Sequence, residues 1–235
     1  MGRERVLVRE LRARLAAAGD PERAAAQQRY MKSAMPFHGV RMPEVRRIAR
    51  ALFAEASFPS RDAWVEAVLA LWRAARFREE RYAAIELSGD RRFREFQRPD
   101  LLPAYEELVV TGAWWDLVDP VATGRIGPLV LEYPGEAGEA MRAWARSDEL
   151  WKRRAALICQ VTARRRTDVE LLTACIEPSL AERDFFLRKG IGWALREHAK
   201  TDPEWVAAYV RRTGGRLSPL SRHEATRHLA GTLSP

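Results

Sequence analysis

Two cysteines, Cys159 and Cys175, are the only thiols in 235 residues. They stand apart and outside any C-x-x-C pattern, so neither a disulfide framework nor a structural zinc site is indicated. Histidine is equally sparse: His38, His198, His223 and His228 lack metal-ligand spacing, and no metal or cofactor is expected. The chain has no Walker loop, no H-E-x-x-H, no G-x-S-x-G and no dinucleotide fingerprint. No apolar run is long enough for a signal peptide or membrane span, and the N-terminal stretch alternates charged and apolar residues as an amphipathic helix does. These absences point away from membranes and toward a reducing, cytoplasmic setting, nucleoid-associated in a bacterial cell.

What the chain does contain is 47% hydrophobic residues, enough for a core, and a net charge of +8 with pI near 10.1. Such a surplus favours a polyanionic partner. Apolar residues recur at helical spacing nearly everywhere, as in Val6, Leu7, Leu11 and Leu15, or Trp64, Val65, Val68, Leu69 and Trp72. Convincing strand patterns are absent. Cap chemistry at Asp20-Pro21, Met42-Pro43, Ser60 and Thr167-Asp168 opens helices, and Gly89-Asp90, Tyr133-Pro134-Gly135 and Gly214-Gly215 separate them. The pattern predicts an all-α chain of about a dozen helices of ~10–16 residues. With no Pro/Ser-rich linker, one domain over residues 1–230 is expected, with a frayed tail at 231–235.

A weak internal repeat suggests stacking. Arg81-Tyr82-Ala83-Ala84-Ile85, Arg153-Arg154-Ala155-Ala156-Leu157 and Arg188-Lys189-Gly190-Ile191-Gly192 resemble one another at spacings of 72 and 35 residues. Those spacings are two periods and one period of ~36 residues, the range of helical-pair solenoids. The skipped slot, near residue 117, holds the most unusual stretch of the sequence, Trp114-Trp115-Asp116-Leu117-Val118-Asp119-Pro120. On a helix Trp115 and Asp119 share a face, and an indole beside a carboxylate suits a ligand carrying positive charge. The competing reading makes one indole core and the aspartates caps. Trp151 with Arg154, and Trp193 with Arg196, repeat a Trp/Arg spacing of three; a single such pair also fits a Trp packed between helices under an exposed Arg.

Basic residues cluster early, at Arg41, Arg46, Arg47 and Arg50, and again at Lys152, Arg153, Arg154 and Arg164 to Arg166. A groove carrying several of them would bind phosphates with strongly salt-dependent affinity. Solvated helix faces are the plain alternative, above all for the Arg164 to Arg166 run.

Six segments resemble the AlkD family of alkylpurine DNA glycosylases: Arg29-Tyr30-Met31-Lys32, Gly39-Val40-Arg41-Met42-Pro43-Glu44, Trp114 to Asp119, Trp151-Lys152-Arg153-Arg154-Ala155-Ala156, Ile191-Gly192-Trp193-Ala194-Leu195-Arg196-Glu197 and Pro219-Leu220-Ser221-Arg222. The resemblance implies an α-solenoid of HEAT-like repeats with a concave basic groove. It implies Asp119 as the catalytic carboxylate, with Trp115 and Trp193 around the deoxyribose of the damaged nucleotide. Tyr30 and Arg154 are the DNA contacts it implies, and the segment from Gly39 to Pro43 approaches the backbone, with Arg41 and Met42 departing from the family's polar pair. With Arg46, Arg47, Lys189, Arg196 and Arg222, these residues make up the candidate DNA-binding set. The activity implied is monofunctional excision of N3- or N7-alkylated purines from duplex DNA without base flipping; a monomer is expected, because each end of a solenoid can cap itself. Members of this family that bind branched or unusual DNA without excision give one rival reading, and a helical scaffold for acidic protein partners gives another.

Overall fold

In the computed structural model, residues 2–229 are described, and all regular elements among them are helical. The tail expected at 231–235 lies outside the described residues. Contacts divide the chain into two compact units, Met1–Gln97 and Arg98–Pro235.

The first unit holds α1 (Arg3–Ala17), α2 (Pro21–Met31), α3 (Met42–Ala54), α4 (Arg61–Arg73) and α5 (Arg78–Ser88), followed by a 3-10 segment, Arg91–Phe96. Local chemistry sets the starts. Asp20 accepts a hydrogen bond from the Arg23 amide at 3.0 Å with Pro21 at the first helical position, and Ser60 accepts from the Ala63 amide at 3.2 Å. Each such cap satisfies an amide the helix cannot, and is worth ~1 kcal/mol. Helix α1 packs on α3, α4 and α5, and α3 packs on α5. Their apolar stripes bury Leu11, Leu15, Val45, Trp64, Leu71, Trp72 and Leu87 almost completely, each contributing ~1.5–3 kcal/mol.

The second unit holds α6 (Leu102–Gly112), α7 (Trp115–Val121), α8 (Gly127–Glu132), α9 (Pro134–Trp144), α10 (Leu150–Ile158), α11 (Val169–Ile176), α12 (Phe185–Ala199), α13 (Pro203–Thr213) and α14 (Pro219–Ala225). Asp168, Asp184, Asp202 and Ser218 cap α11 to α14 through their side chains. Alternate helices stack: α7 on α10, α10 on α12 and α12 on α14, while α9, α11 and α13 back this row. That arrangement is the one the ~36-residue repeat calls for, since Arg153 lies on α10 and Arg188 on α12. Helices of six or seven residues, α7, α8 and α14, fall below the lengths expected from periodicity. Between α7 and α8 the chain widens into a π turn, Ala122–Ile126, where Pro120 has already removed one amide from the ladder.

Candidate active site

Helix α6 is capped by Ala113, which adopts a left-handed conformation at φ 43°, and Trp114 is extended, so the chain turns sharply before α7 begins at Trp115. One turn later Asp119 projects on the same side as Trp115, as i and i+4 residues do. The Thr123 hydroxyl donates to the Asp119 carbonyl at 2.8 Å, satisfying an acceptor at the edge of the π turn.

The Asp119 carboxylate is held by Arg154 of α10 in a bidentate fork. Nε donates to Oδ1 at 2.8 Å and Nη2 to Oδ2 at 2.7 Å. The remaining arm, Nη1, donates to the Phe186 carbonyl in the first turn of α12 at 2.7 Å. One guanidinium therefore joins three stacked helices. The Arg154 side chain is 7% exposed and that of Asp119 15%, so the carboxylate is the outer end of the pair. Burial pushes the Asp119 carboxyl above its ordinary value; Arg154 pulls the other way and Asp116 adds to the rise. With a permanently charged guanidinium on both oxygens, the anion persists at neutral pH.

Aromatic rings fill the space beside this pair. Phe186 meets Trp114 at 5.1 Å and Trp151 at 5.0 Å between ring centroids. Trp151 is thus core, and its helix-mate Arg154 is buried as well, so this Trp/Arg pair is not an exposed surface pair. Six of the eight tryptophans face another ring or a cation. Trp115 and Trp193, both half-buried, have no such contact among the described residues.

On α12, Lys189, Trp193 and Arg196 occupy one face. Lys189 donates to Glu224 of α14 at 2.8 Å, and Arg196 donates to the other oxygen of the same carboxylate. Lys189 lowers the Glu224 carboxyl below its usual range by hydrogen bonding. Arg222 donates to the Gly214 carbonyl. The remaining sequence candidates lie in the first unit. Tyr30 is 77% exposed, and Arg41 is exposed at the start of α3. Arg46 pairs with Glu86 at 3.0 Å, and Arg47 pairs with Glu44 one turn away.

Glu79 was not anticipated as a site residue. Its carboxylate, wholly buried, accepts from the His38 amide at 2.9 Å, the Gly39 amide at 2.8 Å and the Val40 amide at 3.0 Å. Gly39 sits at φ 84°, where a Cβ would come 2.0 Å from the Asp20 carbonyl oxygen. The amides of this segment therefore face inward to Glu79, and Arg41 is the part that faces out. Glu224 was missed too. Its signal was the interval, since it follows Lys189 by 35 residues, one repeat period.

A family model described as DNA alkylation repair enzyme matches residues 11–229. Among curated proteins none matches the chain. Among solved structures, a "Predicted DNA alkylation repair enzyme from Enterococcus faecalis" is similar, at 29% identity and a TM-score of 0.82 over 91% of this chain and 97% of that one. With the family model spanning nearly the whole chain and the same helical architecture in that structure, the chain belongs to the DNA alkylation repair enzyme family.

Proposed function

We propose that the chain is a monofunctional DNA glycosylase that hydrolyses the N-glycosidic bond of N3- and N7-alkylated purines in duplex DNA and leaves an abasic site. The observation that carries this reading is the part-exposed carboxylate of Asp119, held by Arg154 and lying on the same helix face as the half-buried indole of Trp115.

A purine alkylated at N3 or N7 is already cationic, so the bond electrons pass to the ring and it departs neutral without a general acid. Positive charge then grows on the sugar. Asp119 stabilises that charge more in the transition state than in the ground state, which is what accelerates the step. At ~4 Å and an effective dielectric near 20 the attraction is about 4 kcal/mol, on the order of a thousandfold in rate. Arg154, on the inner side of the carboxylate, orients it and offsets part of that field. Water adds at the anomeric carbon, and in this reading Asp119 orients it and takes its proton. Trp115 and Trp193 add ring-face attraction of ~0.5–2 kcal/mol each.

Lys152 is paired with Glu106 and Lys189 with Glu224, and no lysine matches a nucleophile of the family, so in this reading the strand is left uncut. Gripping the sugar from the side rather than extruding the base lets the lesion stay stacked. Tyr30, Arg41 and the arginines of α3 supply backbone contacts in this reading.

The test is release of 7-methylguanine from duplex DNA by the wild type and by Asp119→Asn. The amide keeps a hydrogen bond to Arg154 but not the charge, so release drops about a thousandfold while duplex binding survives. Release at the wild-type rate by the variant overturns the assignment. Methylated duplex heated in alkali after incubation reports abasic sites: tight binding by the wild type without them makes it a non-catalytic DNA binder, and absence of DNA binding makes it a scaffold.

A further inference from the structure

The site contains two ion pairs with the same interval. Asp119 and Arg154 are 35 residues apart, and so are Lys189 and Glu224. Positions 119, 154, 189 and 224 thus recur once per repeat on the stacked helices α7, α10, α12 and α14, in the charge order minus, plus, plus, minus. The two pairs differ in which end meets solvent. In the first the carboxylate is outermost. In the second the Glu224 side chain is 5% exposed, against 39% for Lys189 and 21% for Arg196.

Glu224 is built in tightly. A Cβ on Gly192 would come 2.5 Å from the Glu224 Cβ and 3.1 Å from the Ser221 carbonyl oxygen, so only glycine lets α14 approach α12 this closely. The Ser221 hydroxyl donates to the Arg188 carbonyl at 2.9 Å and fixes the register. Each oxygen of Glu224 takes one donor, from Lys189 and from Arg196. The ammonium has three donors and the guanidinium five, so most remain for an outer ligand. Arg227 approaches Glu224 at 3.7 Å and Glu197 approaches Arg196 at 3.7 Å, so three cations face two carboxylates and the cluster keeps a net positive charge. Lys189 and Arg196 flank Trp193, one turn before it and one turn after.

Resting on the glycosylase reading of Trp193, we infer that Glu224 is a positioning residue: it holds Lys189 and Arg196 as a two-pronged clamp for a DNA backbone phosphate, which sets the sugar against the Trp193 face. It touches neither substrate nor reacting atoms. Its carboxylate trades freedom of two long side chains for a fixed spacing between their charges. A phosphate seated there fixes the register of the strand relative to Asp119.

The experiment uses the full chain and a duplex carrying one 7-methylguanine, with the undamaged duplex as control. Three quantities are read: single-turnover release at saturating protein, duplex affinity across a salt series, and thermal melting. Glu224→Gln slows release about tenfold or more, because loss of register acts on the chemical step. Its affinity for undamaged duplex is unchanged or tighter, because a negative charge has gone. A part that merely holds the fold together lowers melting and affinity in step, and that pattern overturns the inference. In a Lys189→Gln/Arg196→Gln background, Glu224→Gln has no further effect on release; an undiminished effect there also overturns it. If Glu224→Gln does not fold, Glu224→Asp, with the charge drawn back by one carbon, gives the same slow release with the salt slope kept. Should the wild type release no base, the glycosylase reading fails by itself and the clamp is judged on binding: Lys189→Gln/Arg196→Gln lowers the salt slope by about one, for the one phosphate it holds, and an unchanged slope refutes it.

Discussion

Replacing Arg154 by methionine removes the cation from Asp119 while keeping most of the side chain's length. Three hydrogen bonds vanish, two at 2.8 and 2.7 Å to the carboxylate and one at 2.7 Å to the Phe186 carbonyl. Breaking a buried pair by deleting one partner costs about 3–5 kcal/mol, because the survivor is left charged and desolvated. Asp119 keeps 15% of its side-chain surface, so the low end, about 3 kcal/mol, is expected near neutral pH. For a chain of this size that is a drop in Tm of roughly 6–12 °C. The cost depends on pH in a defined direction. Burial already raises the Asp119 carboxyl, and Arg154 is the group that opposes the rise. A carboxyl whose folded value lies above its unfolded one favours the fold below the unfolded value, and that contribution is lost as pH rises through the folded one. The variant's deficit against wild type is therefore small at pH 4 and full by pH 7, and the acid limb of its base-release profile moves to higher pH. Urea unfolding at several pH values, with single-turnover release over the same range, measures both. A deficit independent of pH, or an unmoved acid limb, would refute this account of the pair.

Glu79→Gln replaces one oxygen of the buried acceptor with an NH2 group facing backbone amides, costing about 1–3 kcal/mol by denaturant unfolding; wild-type stability would show that the three hydrogen bonds at His38 to Val40 do not act as described. Burial opposes ionisation of Glu80, but hydrogen bonds from His38, Arg12 and the Arg76 amide outweigh it and bring the carboxyl down to about 2. Its contribution is present above the ordinary 4.5 and disappears as pH falls toward 2, worth at most about 3 kcal/mol, and Glu80→Gln should flatten the acid arm of the stability curve. Trp115→Ala is expected to slow base release roughly 2- to 30-fold and to lower melting less than loss of a fully buried tryptophan would, since its indole is half-buried and meets no other ring or cation among the described residues; a large loss of stability would return it to the core.

The helical class, the starts of the capped helices and the repeat interval were all readable in the sequence, because caps and periodicity are local. The same holds for the shared face of Trp115 and Asp119. What escaped was pairing between repeats. Arg154 stood out as a basic residue awaiting a phosphate, yet its donors are engaged with Asp119 and Phe186. Lys189 and Arg196 likewise have an internal partner in Glu224, which sits within Ser221-Arg222-His223-Glu224 and looks like ordinary surface charge. Glu79 and Glu80, adjacent in an Arg/Glu-rich helix start, gave no sign of burial, because a carboxylate goes inside only when a distant segment brings it donors. The repeat period held the missing information, since contacts one interval apart are the rule when every other helix stacks.

The π turn that follows Asp119 gives this one segment a tolerance of length that the regular helices around it lack. Each residue in an α-helix advances the chain by about 100° of rotation, and a wide turn is one residue more than a regular ladder accommodates. Deleting a single residue between Ala122 and Ile126 would let the segment relax into ordinary helix. The same deletion would leave Gly127 and the helices beyond it nearly in register with Asp119, because the residue removed is the one the wide turn absorbs, so the Arg154–Asp119 fork would survive it. Deleting a residue inside α10 would instead rotate Arg154 by about 100° away from its carboxylate.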